Sequence, residues 1–164
     1  MTIWDLASGQ LLHSLKGFKS YVLGIAFSPD GKMLATAGGT FRNHWNAVPE
    51  NKPDEGEIKL WDVATGHEIA TLLAKQVGLL CIAFTPDGSR LITGEGDLAL
   101  RLPGVSPAAQ IRLWDAVTHQ EIFSLRGNSG AIYDLSVANN GKFLASASRD
   151  GTVRIWNMLA SDKK

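Results

Sequence analysis

The sequence contains little of what would place a chain in a membrane or give it disulfides. Its single cysteine, Cys81, lies in the apolar stretch LLCIAF, so no intramolecular disulfide can form and a buried, inert thiol is expected. No apolar run approaches the roughly 18 residues that a membrane-spanning helix needs. The first ten residues, MTIWDLASGQ, lack the basic and apolar blocks of a signal peptide. We therefore expect no membrane partner and a cytoplasmic location.

An excess of basic charge is also missing. Lys and Arg total 16 and Asp and Glu total 16, so the formal net charge is zero. Because nucleic-acid-binding domains usually carry a basic excess or a basic stripe, we expect no nucleic-acid partner. The hydrophobic fraction of 45% and the charged fraction of 20% are ordinary for a globular protein.

What the sequence does contain is an internal repeat. Its landmark is a tryptophan that follows an aliphatic residue and precedes Asp or Asn, and it occurs at Trp4, Trp61, Trp114 and Trp156. The intervals between these tryptophans are 57, 53 and 42 residues. The turn motifs FSPDG, FTPDG and VANNG repeat the first two intervals. Independent landmarks that share uneven intervals indicate duplication of one structural unit.

Each repeat has the pattern of four short β-strands. Segments such as YVLGIAF and AIYDLSV are rich in β-branched and aromatic residues and alternate in part. Pro-Asp-Gly and Asn-Asn-Gly are turn signals between strands, because glycine accepts a positive φ. The segments EIKLWD, QIRLWD and TVRIWN follow as third strands. No helical periodicity competes with this pattern.

The pattern resembles the WD-repeat family of β-propellers over residues 3–157. In that family each blade is a four-stranded sheet, with strands lettered a to d from the centre outward, and the Trp-Asp dipeptide ends strand c. The resemblance implies an all-β fold: a partial β-propeller of about three four-stranded antiparallel blades plus one extra N-terminal strand. It makes residues 1–164 one WD-repeat region, with repeats that end near Asp5, Asp62, Asp115 and Asn157.

The resemblance also implies structural roles for repeated polar residues. Family members often link a His before strand a, a Ser or Thr in strand b, an Asp after strand b and the Trp of strand c by hydrogen bonds. Besides the tryptophans, the matching residues in this sequence are Thr93, Asp97, Ser146 and Asp150. No repeat has the histidine, and Phe18 and Asn128 stand in its place in the first and last repeats. We therefore expect an incomplete buried network.

All the length beyond the shortest repeat falls between strands b and c. The predicted b–c insertions are residues 41–56 and residues 98–109, on neighbouring blades. In the family these loops lie on one face of the ring, and repeat proteins commonly place insertions on their binding face. The candidate partner-binding residues are Phe41, Arg42, His44, Trp45, Leu100, Arg101 and Leu102. Two interpretations of Trp45 stay open: packing onto the second insertion, or an exposed anchor for a partner.

Catalytic and metal chemistry find little support in the sequence. His44 with Asp54 or Glu55 could form an acid–base pair, but no serine or cysteine nucleophile lies in the same loop. His67 and His119 do not occupy equivalent repeat positions, which disfavours a shared metal site. We expect no catalytic residue, no metal ligand and no cofactor.

The strand count predicts an incomplete ring. A lone strand c followed by three runs of d, a, b and c gives thirteen strands, whereas closed propellers have about four to eight blades. The chain is then either a fragment of a larger propeller or a unit that self-associates through open blade edges. The expected function is a non-catalytic scaffold for protein–protein interaction, with protein partners that the sequence does not identify. The alternative is a regulatory or sensor segment of a larger multidomain enzyme whose catalytic part lies outside this chain.

Overall fold

The computed structural model describes residues 1–19, 21–39, 55–75, 78–96 and 109–159, with the side chain of Lys75 excepted. In these ranges the chain forms thirteen strands, the number that the repeat pattern predicts. The strands are β1 (Thr2–Trp4), β2 (Leu11–Ser14), β3 (Tyr21–Phe27), β4 (Met33–Gly39), β5 (Glu55–Asp62), β6 (Glu68–Lys75), β7 (Gly78–Phe84), β8 (Arg90–Gly96), β9 (Gln110–Asp115), β10 (Glu121–Arg126), β11 (Ile132–Val137), β12 (Phe143–Ser148) and β13 (Val153–Asn157).

The strands form four antiparallel sheets that follow one another along the chain. The sheet of β1 and β2 is a half-blade, β3–β6 form the first blade, β7–β10 the second blade, and β11–β13 the last blade. Strands a, b, c and d of each complete blade occur in chain order. The all-β partial propeller is therefore confirmed, and the sheets that the described residues form do not close into a ring. Within the described residues the half-blade lacks strands a and b, and the last blade lacks strand d.

Short polar side chains build the turns between strands a and b. In the second blade the Thr85 hydroxyl donates to Asp87 Oδ1 at 2.6 Å, and the Ser89 amide donates to the same oxygen at 3.0 Å. Gly88 has φ 70°, and its counterpart Gly31 in the first blade has φ 71°. Glycine adopts these positive φ values without steric cost, which explains the recurrent Pro-Asp-Gly motif.

The hydrophobic core lies between blades. Each blade has a tryptophan face, which carries the repeat tryptophan, and an opposite face. Leu60 on the opposite face of the first blade shares a buried cluster with Leu91 on the tryptophan face of the second. Leu113 on the opposite face of the second blade shares a cluster with Leu144 of the last blade. Each interior strand b is thereby covered on both sides, so the blades stabilise one another.

A glycine allows the second and last blades to approach closely. A Cβ on Gly94 would lie 2.5 Å from Cys81 Sγ and 2.7 Å from the Ile132 Cγ2 methyl group. Contacts that short do not occur between real side-chain atoms, so any larger residue would push the two blades apart. The glycine in strand β8 is therefore a packing residue.

Candidate protein-interaction surfaces

The repeat tryptophans of the three blades donate hydrogen bonds to strand b. Trp114 Nε1 lies 3.0 Å from Thr93 Oγ1, and Trp156 Nε1 lies 3.0 Å from Ser146 Oγ. Trp61 makes the same contact with the Thr36 hydroxyl at 3.2 Å. A buried indole N–H needs an acceptor, which explains a hydroxyl residue at this place in each strand b.

The place that histidine holds in the family is taken by other side chains. In the last blade the Ser146 hydroxyl donates to Asn128 Oδ1 at 3.2 Å, so a short chain of hydrogen bonds runs from Trp156 to Asn128. Asn128 is buried, and its Nδ2 has no hydrogen-bond partner among the described residues. In the first blade the Phe18 ring instead contacts Trp61, with 5.2 Å between the ring centroids. Apolar packing there replaces a polar link.

The aspartate that follows Trp4, Trp61 and Trp114 caps the turn between strands c and d. Asp62 Oδ1 accepts the Thr65 amide at 2.7 Å, and Asp115 Oδ1 accepts the Thr118 amide at 2.7 Å. These backbone hydrogen bonds hold the pKa of both carboxyl groups below its ordinary value. Asp5 caps its turn in the same way, through the Ala7 amide at 2.8 Å. The Trp-Asp motif is thus a turn-forming element.

Asp150 ties the b–c turn of the last blade to the loop that enters the blade. Its carboxylate accepts the Thr152 hydroxyl at 2.6 Å and the Ser129 amide at 2.8 Å. The hydrogen bonds, led by the one from Thr152, hold the pKa of Asp150 well below its ordinary value. Asp97, the counterpart in the second repeat, lies outside the described residues.

A cation is clamped between two carboxylates in each complete blade. In the first blade Lys59 Nζ lies 2.8 Å from Glu68 Oε2 and 3.5 Å from Glu57 Oε1. The Lys59 hydrogen bond is the main cause of the lowered pKa of Glu68. Lys59 is itself buried, so its charge needs these partners.

The second blade repeats the clamp with different residues. Arg112 contacts the buried carboxylate of Glu95 and places Nη1 2.8 Å from Glu121 Oε2. Burial outweighs the arginine and raises the pKa of Glu95. Sequence reasoning missed both clamps, although the shared pattern Glu-Ile-X-Thr/Ser-Leu, starting at Glu68 and Glu121, was a usable signal.

The insertions leave from equivalent strand ends on adjacent blades. Strand β4 ends at Gly39 and β5 begins at Glu55, while β8 ends at Gly96 and β9 begins at Gln110. Strand β5 therefore includes the last two residues of the predicted insertion 41–56, because Glu55 and Gly56 pair with strand β6. The predicted binding residues lie outside the described residues: Phe41, Arg42, His44, Trp45, Leu100, Arg101 and Leu102.

The N-terminal end face is the tryptophan face of the first blade along strand β3, at Leu23, Ile25 and Phe27. Ile25 is 61% exposed and Phe27 is 56% exposed. The residues at the same register of the second blade, Ile82 and Phe84, are 7% and 8% exposed, because the first blade covers them. The N-terminal end face therefore carries the apolar side chains that form an interface between blades elsewhere in the chain, but among the described residues no blade packs on them.

The C-terminal end face is the opposite face of the last blade along β13, at Val153 and Ile155. These side chains are 71% and 72% exposed. Their counterparts in the second blade, Ile111 and Leu113, are 0% and 1% exposed. Trp4, which the repeat pattern predicts to be a structural residue, is 54% exposed, because its sheet within the described ranges consists of β1 and β2.

No group of three or more His, Cys, Asp or Glu side chains that could hold a metal ion occurs within the described ranges. Across those ranges there is also no helix long and apolar enough to cross a membrane. Cys81 is buried, and burial raises the pKa of its thiol to about 12.

Comparison with known families agrees with this architecture. The family described as WD domain, G-beta repeat matches residues 9–62, 66–102 and 119–157. These segments cover most of the chain, and each begins with strand d of one sheet and continues into strands a and b of the next. The chain belongs to the WD-repeat family.

Several proteins with curated descriptions resemble the chain along nearly its whole length. An uncharacterised WD repeat-containing protein of Synechocystis is 27% identical over 91% of this chain and 48% of that protein. Nuclear distribution protein PAC1-2 of Uncinocarpus reesii is 29% identical over 98% of this chain and 32% of that protein. Pre-mRNA-processing factor 19 homolog 2 of Arabidopsis thaliana is 27% identical over 95% of this chain and 34% of that protein. The chain thus spans about a third to a half of these relatives.

Proposed function

We propose that this WD-repeat chain is a non-catalytic scaffold for protein assembly, with its partner-binding surface on the two b–c insertions. The observation that carries the proposal is the position of the insertions. Both leave strand b and return to strand c at equivalent places in blades that pack face to face. Loops that leave a rigid framework are a common site of protein recognition.

Trp45 is the residue that we propose as the main anchor. It is the one tryptophan off the repeat register, and it shares its insertion with Phe41 and Arg42. Tryptophan and arginine are the residue types most enriched at interface hot spots. In the proposed surface the second insertion contributes the apolar residues Leu100 and Leu102.

The test compares two tryptophan variants of the same chain. A protein captured by the wild-type chain is purified, and its affinity is measured by calorimetry for the wild type, Trp45→Ala and Trp4→Ala. Trp45→Ala should weaken binding by about 2 kcal/mol or more, which is roughly 30-fold. Trp4→Ala is the matched control, because Trp4 is exposed on the half-blade. Equal affinities for all three proteins, with unchanged stability, would remove the insertion surface from the proposal.

We further propose that additional blades of a larger propeller cover the two end faces. The register comparison supports this, because Ile25 and Ile155 correspond to residues that neighbouring blades bury elsewhere in the chain. The relatives, whose lengths are two to three times the matched segment, leave room for such blades. Apolar faces of this kind are an association hazard when they stay uncovered.

Sedimentation velocity of the isolated chain tests the open end faces. The wild type should self-associate with rising concentration, and the double variant Ile25→Asp/Ile155→Asp should stay monomeric. Ile122→Asp is the matched control, since Ile122 is 45% exposed on strand β10 of the interior second blade. A wild-type chain that is a stable monomer at all concentrations would contradict the proposal.

The absence of catalysis and the cytoplasmic location are parts of this proposal. The observation that supports a scaffold is that Asp62, Asp115, Lys59 and Arg112 form turns and ion pairs within the blades. A cytoplasmic location stays a prediction, which imaging of the tagged protein in its own cells would check; a membrane or nuclear signal would contradict it.

A further inference from the structure

The a–b turn of the last blade contains an Asn-Gly pair where the other two blades have Asp-Gly. Its sequence is Ala-Asn-Asn-Gly from Ala138, whereas the first and second blades have Ser-Pro-Asp-Gly and Thr-Pro-Asp-Gly. Asn140 is exposed, like its counterparts Asp30 and Asp87. It also lines a cleft between the second and last blades that Arg90 lines from the other side. The Asn-Gly pair is therefore accessible to water.

The three a–b turns share one backbone geometry. Their glycines have φ values from 66° to 71°. In the last blade the Gly141 amide donates to Ala138 O at 2.8 Å, as the glycine amides of the other two turns do to the equivalent carbonyl groups. The Lys142 amide donates to Asn140 Oδ1 at 3.0 Å, and an aspartate oxygen accepts the equivalent amide in the other two blades. An aspartate at position 140 would therefore fit this turn.

The last blade lacks a hydroxyl group that holds this turn in the other two. The Thr85 hydroxyl donates to Asp87 Oδ1 at 2.6 Å and accepts the Arg90 amide at 3.0 Å. Ser28 makes the corresponding contacts in the first blade. Ala138 stands at this position in the last blade and has no hydroxyl. The last turn is thus held by fewer hydrogen bonds and should open more readily.

An opened Asn-Gly turn brings a backbone nitrogen next to a side-chain amide carbon. The nitrogen of Gly141 can attack Cγ of Asn140, because glycine has no Cβ to hinder the approach. The new N–Cγ bond closes a succinimide ring, the Cγ–Nδ2 bond breaks, and Nδ2 leaves as ammonia with the proton of the Gly141 amide. Water then adds to one of the succinimide carbonyl groups and breaks its C–N bond, which leaves either aspartate or isoaspartate. Water is the only other reactant.

We propose that Asn140 is a site of spontaneous deamidation and that opening of the a–b turn controls its rate. In the closed turn the Gly141 amide is held on Ala138 O, so the reaction requires the turn to open. The aspartate product restores the turn sequence of the other blades and adds a negative charge to the cleft that Arg90 lines. The isoaspartate product adds a methylene group to the main chain, which displaces the amides of Gly141 and Lys142 from their acceptors and destabilises the turn.

Peptide mapping of the aged full chain tests the site. Trypsin releases GNSGAIYDLSVANNGK, residues 127–142, and fragmentation spectra locate within it the mass gain that accompanies conversion of an amide to an acid. Asn140 should react. Asn128, which is buried, and Asn139, which a bulkier residue than glycine follows, should stay intact and serve as internal controls. In guanidinium chloride at the same pH, Asn140 should react at least about tenfold faster, because the turn hydrogen bonds no longer have to open.

A matched pair of variants tests control by the turn. Ala138→Thr restores the hydroxyl of the second blade and should slow the loss of Asn140 in the native chain about fivefold, the effect of about one hydrogen bond. Ala138→Val has nearly the same shape without the hydroxyl and should react like the wild type. In guanidinium chloride the three proteins should react at equal rates, since the turn is then open in all of them.

The two products differ in their effect on stability. Asn140→Asp reproduces the aspartate product and should keep the urea midpoint of the wild type. The isoaspartate form, separated by ion exchange and identified by methylation with an isoaspartyl methyltransferase, should unfold at a lower urea concentration. Equal midpoints for the two products would contradict the proposed effect of the added methylene group.

Three results would overturn the proposal: an Asn140 that stays intact in guanidinium chloride, deamidation at equal rates in the native and unfolded chains, or equal slowing by Ala138→Thr and Ala138→Val. Loss of Asn139 as fast as Asn140 would remove the role of Gly141. Because the rates in guanidinium chloride do not depend on folding of the variants, the proposal stays testable even where a variant is unstable.

Discussion

Replacement of Trp114 by alanine is the perturbation that most sharply probes the packing of the blades. Trp114 is 4% exposed, lies in the cluster between the first and second blades, and donates its indole N–H to Thr93. A buried tryptophan covers about 200 Å² of mostly apolar surface, which corresponds to about 5 kcal/mol at 25 cal/mol per Å². Measured substitutions of this kind cost about 3–5 kcal/mol. That is a large part of the roughly 5–15 kcal/mol that stabilises a folded domain.

Trp4→Ala supplies a matched control for Trp114→Ala. The two tryptophans have the same repeat register, yet Trp4 is 54% exposed and its indole N–H donates to the nearby Thr2 hydroxyl. Because about half of its surface stays in water, we expect a cost of at most about 2 kcal/mol. The free energy of unfolding is measured by circular dichroism in urea, at a protein concentration low enough to suppress association. Equal decreases in the free energy of unfolding for the two variants, or an unchanged urea midpoint for Trp114→Ala, would contradict the burial of Trp114 between the first and second blades.

Three further predictions concern buried and turn-forming groups. Thr93→Val removes the acceptor of the buried Trp114 N–H and should cost about 1–3 kcal/mol in the same urea assay; a neutral effect would contradict the hydrogen bond. Cys81, with its raised pKa, should resist a disulfide reagent at pH 8 until urea unfolds the chain, and rapid reaction of the native protein would contradict its burial. Asp62 and Asp115 have lowered pKa values in the folded state. Their contribution to stability should be complete above about pH 4 and disappear as pH falls through the folded values, so the urea midpoint should fall in acid, and less so in Asp62→Asn/Asp115→Asn.

The strands and turns could be predicted from the sequence because local chemistry determines them. Pro-Asp-Gly turns, alternating apolar residues and the recurrent tryptophan carry the register, and the thirteen strands follow in order. The exposure of Trp4 could not be predicted from its local sequence. Trp4 and Trp61 share the repeat motif, but within the described part of the chain the sheet of Trp4 lacks the strands a and b that pack beside Trp61.

Half of each cation clamp could have been predicted from the sequence, because the glutamate of strand d follows the cation of strand c by nine residues in both complete blades. The second carboxylate could not, because Lys59 takes it from strand c at Glu57, whereas Arg112 takes it from strand b at Glu95. No fixed sequence spacing describes this second contact. The insertion surface was predicted from loop length and from Trp45 alone, and it stays a prediction, because the residues proposed for it lie outside the described ranges.

Residue-level amide hydrogen exchange tests most directly the claim that these repeats are stacked blades of an incomplete propeller. Strands β4, β8 and β12 have the same position within their sheets. Among the described residues the blades of β4 and β8 have packed neighbours on both faces, whereas the blade of β12 has a neighbour on one face. Because protection rises with burial of the surrounding structure, exchange should be slower in β4 and β8 than in β12, whose blade is covered on one face. Equal protection of the three strands, or slowest exchange in β12, would contradict the account.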